Sequence, residues 1–172
     1  MPEDPRHAEN TLDWLLKLKP DADEALQIAA LGHDIERALE VRGVKRADYS
    51  DYELFKAAHA RMSAEILRGI MQDCGAPPAM TNEVYLLVYR HETGGDPRAD
   101  LIKKVDSISY FDVNLPLYFQ REGWDETKRR CIWGYGRLSA RGKKIIESMT
   151  YADEKLTELL QEAIREARSV VS

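Results

Sequence analysis

Apolar residues recur along this chain at spacings of three and four, and no stretch sustains the alternation of a half-buried strand. The pattern predicts a first helix from about Arg6 to Lys19, ended by Pro20. A second starts at Asp21 or Asp23 as N-cap and runs past Glu36, with Ile28, Leu31, Ile35 and Leu39 as its apolar face. Gly43 and the polar stretch from Lys45 to Asp51 form a loop carrying Tyr49 and Tyr52. A third helix spans about Asp51 to Asp73 and is stopped by Gly75, Pro77 and Pro78. A fourth covers Ala79 to Arg90, closed by the Gly94-Gly95 turn, and a fifth runs from Asp96-Pro97 to about Phe111. Beyond Pro116 the sequence predicts a short helix, a glycine-interrupted basic segment and an amphipathic helix from about Thr150 to Val170. The expectation is an all-α bundle, a five-helix core plus C-terminal helices, in one domain over residues 1–172.

Four histidines fall on four different predicted elements. His7 shares a stripe with Thr11, Trp14, Leu15 and Leu18, and His33 lies in line with Leu26 and Ala30. His59 sits between Phe55 and Met62, in line with Ile66 and Ile70, and His91 ends a stripe of Val84, Leu87 and Val88. A single histidine on an apolar stripe is an ordinary hydrogen-bonded core residue. Here none is left for the solvent faces, and four imidazoles in one small core are costly to bury without a shared partner. A divalent metal ion is such a partner, because neutral imidazole is its commonest nitrogen ligand.

Two carboxylates join this set. Asp34 follows His33 directly, about 100° further round a helix, so both can border one cavity. Asp106 lies in an apolar run near Leu101, Ile102, Val105 and Ile108, where it needs a compensating charge. Lys103 or Arg90 could supply that charge as an ion pair; a metal ion would supply it as well.

Composition narrows the partners. A length of 172 residues suits one domain, and the formal net charge of -5 argues against nucleic acid as an obligatory partner. The basic residues Lys128, Arg129, Arg130, Arg137, Arg141, Lys143 and Lys144 read as solvated helix faces, since Trp133 and Tyr135 are the only aromatics interleaved with them. No apolar run suggests a secretory signal or a membrane span. Cys74 and Cys131 are far apart in sequence and read as reduced structural thiols of a cytoplasmic protein. The last helix presents Leu156, Leu159, Leu160, Ile164 and Ala167 on one side, which can pack on the core or on a second subunit of a homo-oligomer.

The ordered set His7, then His33-Asp34 in Ala29-Ala30-Leu31-Gly32-His33-Asp34, then His59, His91 and Asp106, resembles the H…HD…H…H…D signature of the HD superfamily of metal-dependent phosphohydrolases. Its order and spacing are similar to those of HD-type hydrolases that split diadenosine tetraphosphate symmetrically. Tyr89-Arg90-His91-Glu92-Thr93-Gly94 and Leu101-Ile102-Lys103-Lys104-Val105-Asp106 carry much of that likeness. The resemblance covers the first two-thirds of the chain and sets a motif-bearing core, 1–115, apart from an extension, 116–172. One departure stands out: many relatives have Lys three residues after the Asp of the HD pair, where this chain has Arg37. Arg keeps the charge but changes reach and geometry.

The resemblance implies an HD-type helical domain in which His7, His33, Asp34 and Asp106 hold one metal ion, while Asp34 bridges to a second held by His59 and His91. It implies hydrolysis of a phosphoester or phosphoanhydride, in a small nucleotide or related phosphate, by a metal-activated water. Such mixed N/O sites suit Mn, Fe, Co, Ni or Zn, and Mg less well. Arg37, Lys56 and Lys103 each lie three residues from a proposed ligand and are candidates to grip phosphate, with Asp34 and Arg37 as catalytic candidates. Glu36 is a weaker candidate for orienting the water, and Tyr49 and Tyr52 could stack on a base or simply cap the core. Two alternatives remain open at this point: a di-iron oxygenase built on the same ligands, and a non-catalytic metal- or ligand-binding module.

Overall fold

The structure is a computed structural model that describes residues 4–38 and 44–169. Leu39, Gly43 and Val170 lie outside the described residues. The described residues contain helices and turns and no strand. The fold is all-α. No helix among them is long and apolar enough to cross a membrane.

The chain divides into two compact units, Met1–Asp106 and Ser107–Ser172. The division falls inside a helix and ahead of the 115/116 boundary drawn from the sequence. The first unit contains α1 (Asp4–Leu18), α2 (Glu24–Gly32), α3 (Tyr52–Asp73), α4 (Pro78–Tyr89) and most of α5 (Pro97–Ser109). Its core joins Leu15 of α1, Leu26 and Ala29 of α2, Ala64 and Leu67 of α3, Val84 and Val88 of α4, and Ile102 and Val105 of α5. Capping sets the helix starts: the Asp23 carboxylate accepts the Leu26 N–H at 3.1 Å, and Asp51 caps α3. Asp96 accepts the N–H groups of Arg98 and Ala99, each at 3.0 Å, at the start of α5.

The second helix departs from expectation. It stops at Gly32, and Ile35–Ala38 form a 3-10 turn in place of a continuing α-helix. Its buried side runs through Ala25, Leu26, Ala29 and Ala30, while Leu31 is 47% exposed. The small residues face inward because α2 approaches its neighbours closely: a Cβ on Gly32 would lie 2.6 Å from Leu67 Cδ2. In α3, too, the inner face is Lys56, His59, Ala60, Ser63, Leu67 and Met71, and Ile70 is exposed.

In the second unit a π-helical turn, Tyr110–Asn114, leads into α6 (Leu115–Gly136), followed by α7 (Ala140–Glu147) and α8 (Glu154–Ser169). Helix α6 is kinked at Gly123, whose φ of 76° a side chain would resist. Helix α8 buries Leu156, Leu159, Leu160, Ala163, Ile164 and Ala167 and packs on α6, so its apolar side is covered within its own unit. Several of the basic residues are engaged there as well. Lys128 pairs with Glu162 at 3.3 Å and Glu166 at 3.1 Å, and Arg130 and Arg137 stack on Trp133. Both cysteines are free thiols, Cys74 exposed and Cys131 buried.

Candidate metal centre

The first unit brings all six sequence-derived ligand candidates together. His7 comes from α1, His33 and Asp34 from the turn after α2, His59 from α3, His91 from the turn after α4 and Asp106 from α5. All four imidazoles are buried. They fall into two groups that could hold a metal ion, His7 with His33 and Asp106, and Asp34 with His59 and His91. Asp34 also borders the first group, its Oδ1 lying 3.7 Å from His33 Nε2 and its Oδ2 3.9 Å from His7 Nε2.

Ring orientation decides which nitrogen each histidine offers. His33 donates Nδ1–H to the Ala30 carbonyl at 2.9 Å, and His91 donates Nδ1–H to the Val88 carbonyl at 2.7 Å. Both sit just past a helix end, where carbonyls lack an intrahelical partner. Their Nε2 atoms therefore face the cluster. His59 lies inside α3 and takes its acceptor from another segment: Nδ1 is 2.6 Å from Glu36 Oε1, leaving Nε2 2.7 Å from Asp34 Oδ1. His7 Nε2 stands 3.0 Å from Asp106 Oδ1 and 3.3 Å from His33 Nε2.

The charges follow from this packing. Burial raises the Asp34 carboxyl, but Arg37, His33 and His59 outweigh it and hold Asp34 well below the usual carboxylate range. Asp106 is likewise held well below, His33 and His7 outweighing its burial. Burial opposes charge on His33 and His59 too; the Asp34 carboxylate overcomes it, with help from Asp106 and Glu36 respectively, and both imidazoles are raised to about 9. His91 moves the other way, lowered by burial and by the nearby His33.

The donor set could hold a metal ion. His91 Nε2 is buried without a hydrogen-bond partner, although an unsatisfied buried polar atom costs about 1–3 kcal/mol. A cation accepting its lone pair removes that cost, and the Nδ1–H bonds to carbonyl or carboxylate are those that metal-bound histidines usually make. His7, His33, Asp34, His59, His91 and Asp106 are the residues that could hold such ions.

The proposed phosphate grips are placed differently from one another. Arg37 Nη1 lies 3.1 Å from Asp34 Oδ2, and its side chain is 37% exposed, which puts one guanidinium at the open edge of the cluster. Lys56 is buried and pairs with Glu53 at 3.1 Å and Glu92 at 3.3 Å. Lys103 Nζ donates to the Thr93 carbonyl at 3.2 Å, joining α5 to the turn that carries His91. Tyr49 and Tyr52 pack around Phe55, whose ring stacks towards His59.

Two roles escaped the sequence reading, which named Glu36 only as a candidate for orienting water and did not single out Glu92 for a role. Glu36 orients His59, and Glu92 pairs with buried Lys56. On a continuous α-helix, residues 34 and 36 would point about 160° apart. In the structure the chain passes into a 3-10 turn here and Asp34 and Glu36 both reach His59, a break that no periodicity signals.

With this geometry established, comparison with known families adds one result. The family model for a domain of unknown function, DUF4202, matches residues 1–160. The chain belongs to the DUF4202 family. The match spans the metal-candidate cluster of this DUF4202 chain and extends through most of its second unit. No curated protein and no solved structure gives a significant match.

Proposed function

We propose that this DUF4202 chain is a metal-dependent phosphohydrolase acting on a phosphoester or phosphoanhydride of a small nucleotide or related phosphate. One observation carries the reading: Asp34, the carboxylate of one group, also borders the other, its Oδ1 3.8 Å from His91 Nε2 and 3.7 Å from His33 Nε2. The H…HD…H…H…D order supports it further.

Mixed nitrogen and carboxylate donors suit Mn, Fe, Co, Ni or Zn better than Mg. One or two divalent ions held there by His7, His33, Asp34, His59, His91 and Asp106 would supply Lewis acidity and a lowered pKa of bound water, chemistry suited to phosphoester hydrolysis. The chain's own residues do the rest. Asp34 and Asp106 stay ionised and attract the cations, while the Ala30 and Val88 carbonyls and the Glu36 carboxylate hold three rings in place beforehand. Arg37 offers a planar fork that can take two phosphate oxygens and offset negative charge developing on the phosphoryl oxygens. Lys56 and Lys103 tie α3 and α5, respectively, to the turn that carries His91.

The test is elemental analysis of protein purified without chelators, wild type beside Asp34→Ala, followed by a phosphoester panel rich in nucleotides. The reading expects near-stoichiometric transition metal approaching two per chain, lost in the variant together with phosphate release. Absence of metal from both proteins after soaking in Mn(II) would sink it. Tightly bound metal without turnover across the panel would favour the non-catalytic module instead.

A further inference from the structure

His59 is held differently from His33 and His91, and the difference centres on one glutamate. His33 and His91 each follow a helix end and bond to the carbonyl three residues back. His59 lies seven residues into the 22-residue helix α3, where backbone carbonyls are consumed by the helix itself. Its ring therefore needs an acceptor from elsewhere in the chain. Glu36 supplies it from the 3-10 turn, at 2.6 Å from His59 Nδ1.

Glu36 is well fixed for that task. Its side chain is 3% exposed, its second oxygen accepts the Val44 N–H at 2.9 Å, and its own N–H bonds to Ser63 Oγ on α3 at 3.3 Å. The carboxylate thus has both oxygens engaged and is tied to the same helix that carries His59. A carboxylate differs from a carbonyl as an acceptor: its charge makes the imidazole a better electron donor at the opposite nitrogen.

We propose that Glu36 is a positioning residue of the metal centre, one that keeps the proton on His59 Nδ1 and so presents Nε2 to an ion in the Asp34–His59–His91 triad. This assignment rests on the metal-centre reading above. It adds an anionic group directly behind one ligand of that triad; in the other triad, the His33 ring is backed by a neutral carbonyl. Glu36 does not touch substrate. It acts through His59.

The experiment compares wild type, Glu36→Ala and Glu36→Gln, each loaded with Zn(II), by elemental analysis, competition with a chelator, and nitrogen-15 NMR of the histidine rings. In the wild type His59 should show a metal-shifted Nε2 and a slowly exchanging, downfield Nδ1–H. In Glu36→Ala that Nδ1–H signal should vanish, with one of two ions bound about 10–100-fold more weakly. The other should be retained. Glu36→Gln, which keeps a neutral acceptor of the same size, should fall between the two and guards against a folding failure in the alanine variant. A wild type with two ions, matched by a Glu36→Ala with unchanged affinity and an unchanged His59 signal, overturns the role of Glu36 alone. A wild type that takes up no metal overturns the metal-centre reading and this assignment with it.

Discussion

His91 Nε2 is buried 3.8 Å from Asp34 Oδ1, beyond hydrogen-bond range, whereas His59 Nε2 makes a 2.7 Å bond to the same oxygen. Two rings of one triad thus face one carboxylate oxygen, and only one is satisfied by it. The unsatisfied nitrogen is a lone pair that a cation would engage.

Metal binding should therefore stabilise the fold. An ion that binds only the native state adds about 2.7 kcal/mol at a hundredfold excess over its dissociation constant. Thermal melts with and without Mn(II) should show that rise, and His91→Ala should lose a large part of it. Equal melting points with and without metal would count against the site.

The metal-free protein should lose stability on the alkaline side. His33 and His59 are raised to about 9 in the fold from an ordinary 6.5. A raised folded-state value means their contribution is fully present below about 6.5 and is lost as pH rises through about 9. His91 is shifted down, so it titrates below this window and does not offset the loss within it. Urea unfolding in chelator at several pH values between 6 and 10 checks the slope. Because binding displaces the same protons, apparent metal affinity should rise across that range.

Arg37→Ala should leave metal content unchanged and cut kcat/KM on the best phosphoester by about a hundredfold, the usual effect of losing one donor aimed at developing charge. Arg37→Lys should recover part of the rate. A variant with full turnover would remove Arg37 from the phosphate grip.

Gly94→Ala should damage the turn that carries His91. Gly94 has a φ of 75°, and a Cβ there would lie 2.1 Å from Asp100 Oδ1, which also accepts the Gly95 N–H at 3.0 Å. Strain of this kind costs about 1–3 kcal/mol. A lowered melting point should accompany weaker binding of one ion, read by elemental analysis, with the His7–His33–Asp106 ion retained.

The sequence by itself determined the all-helical class and the burial of the histidines, while the extents of α2 and α6 differ from those expected. A period near 3.6 puts His7 on the buried face of α1 with Leu15, and His59 on that of α3 with Ser63 and Leu67, whereas His33 and His91 sit in turns just past a helix end. It was less secure for α2, where an expected face through Leu31 gave way to one of alanines, because close approach to Leu67 favours small residues and ends the helix at Gly32. Tertiary structure alone decided the rest. Glu36 meets His59 across 23 positions, Lys56 meets Glu92 across 36, and His7 meets Asp106 across 99. Such pairings depend on how helices pack and where one breaks into a tighter turn, and local periodicity carries neither.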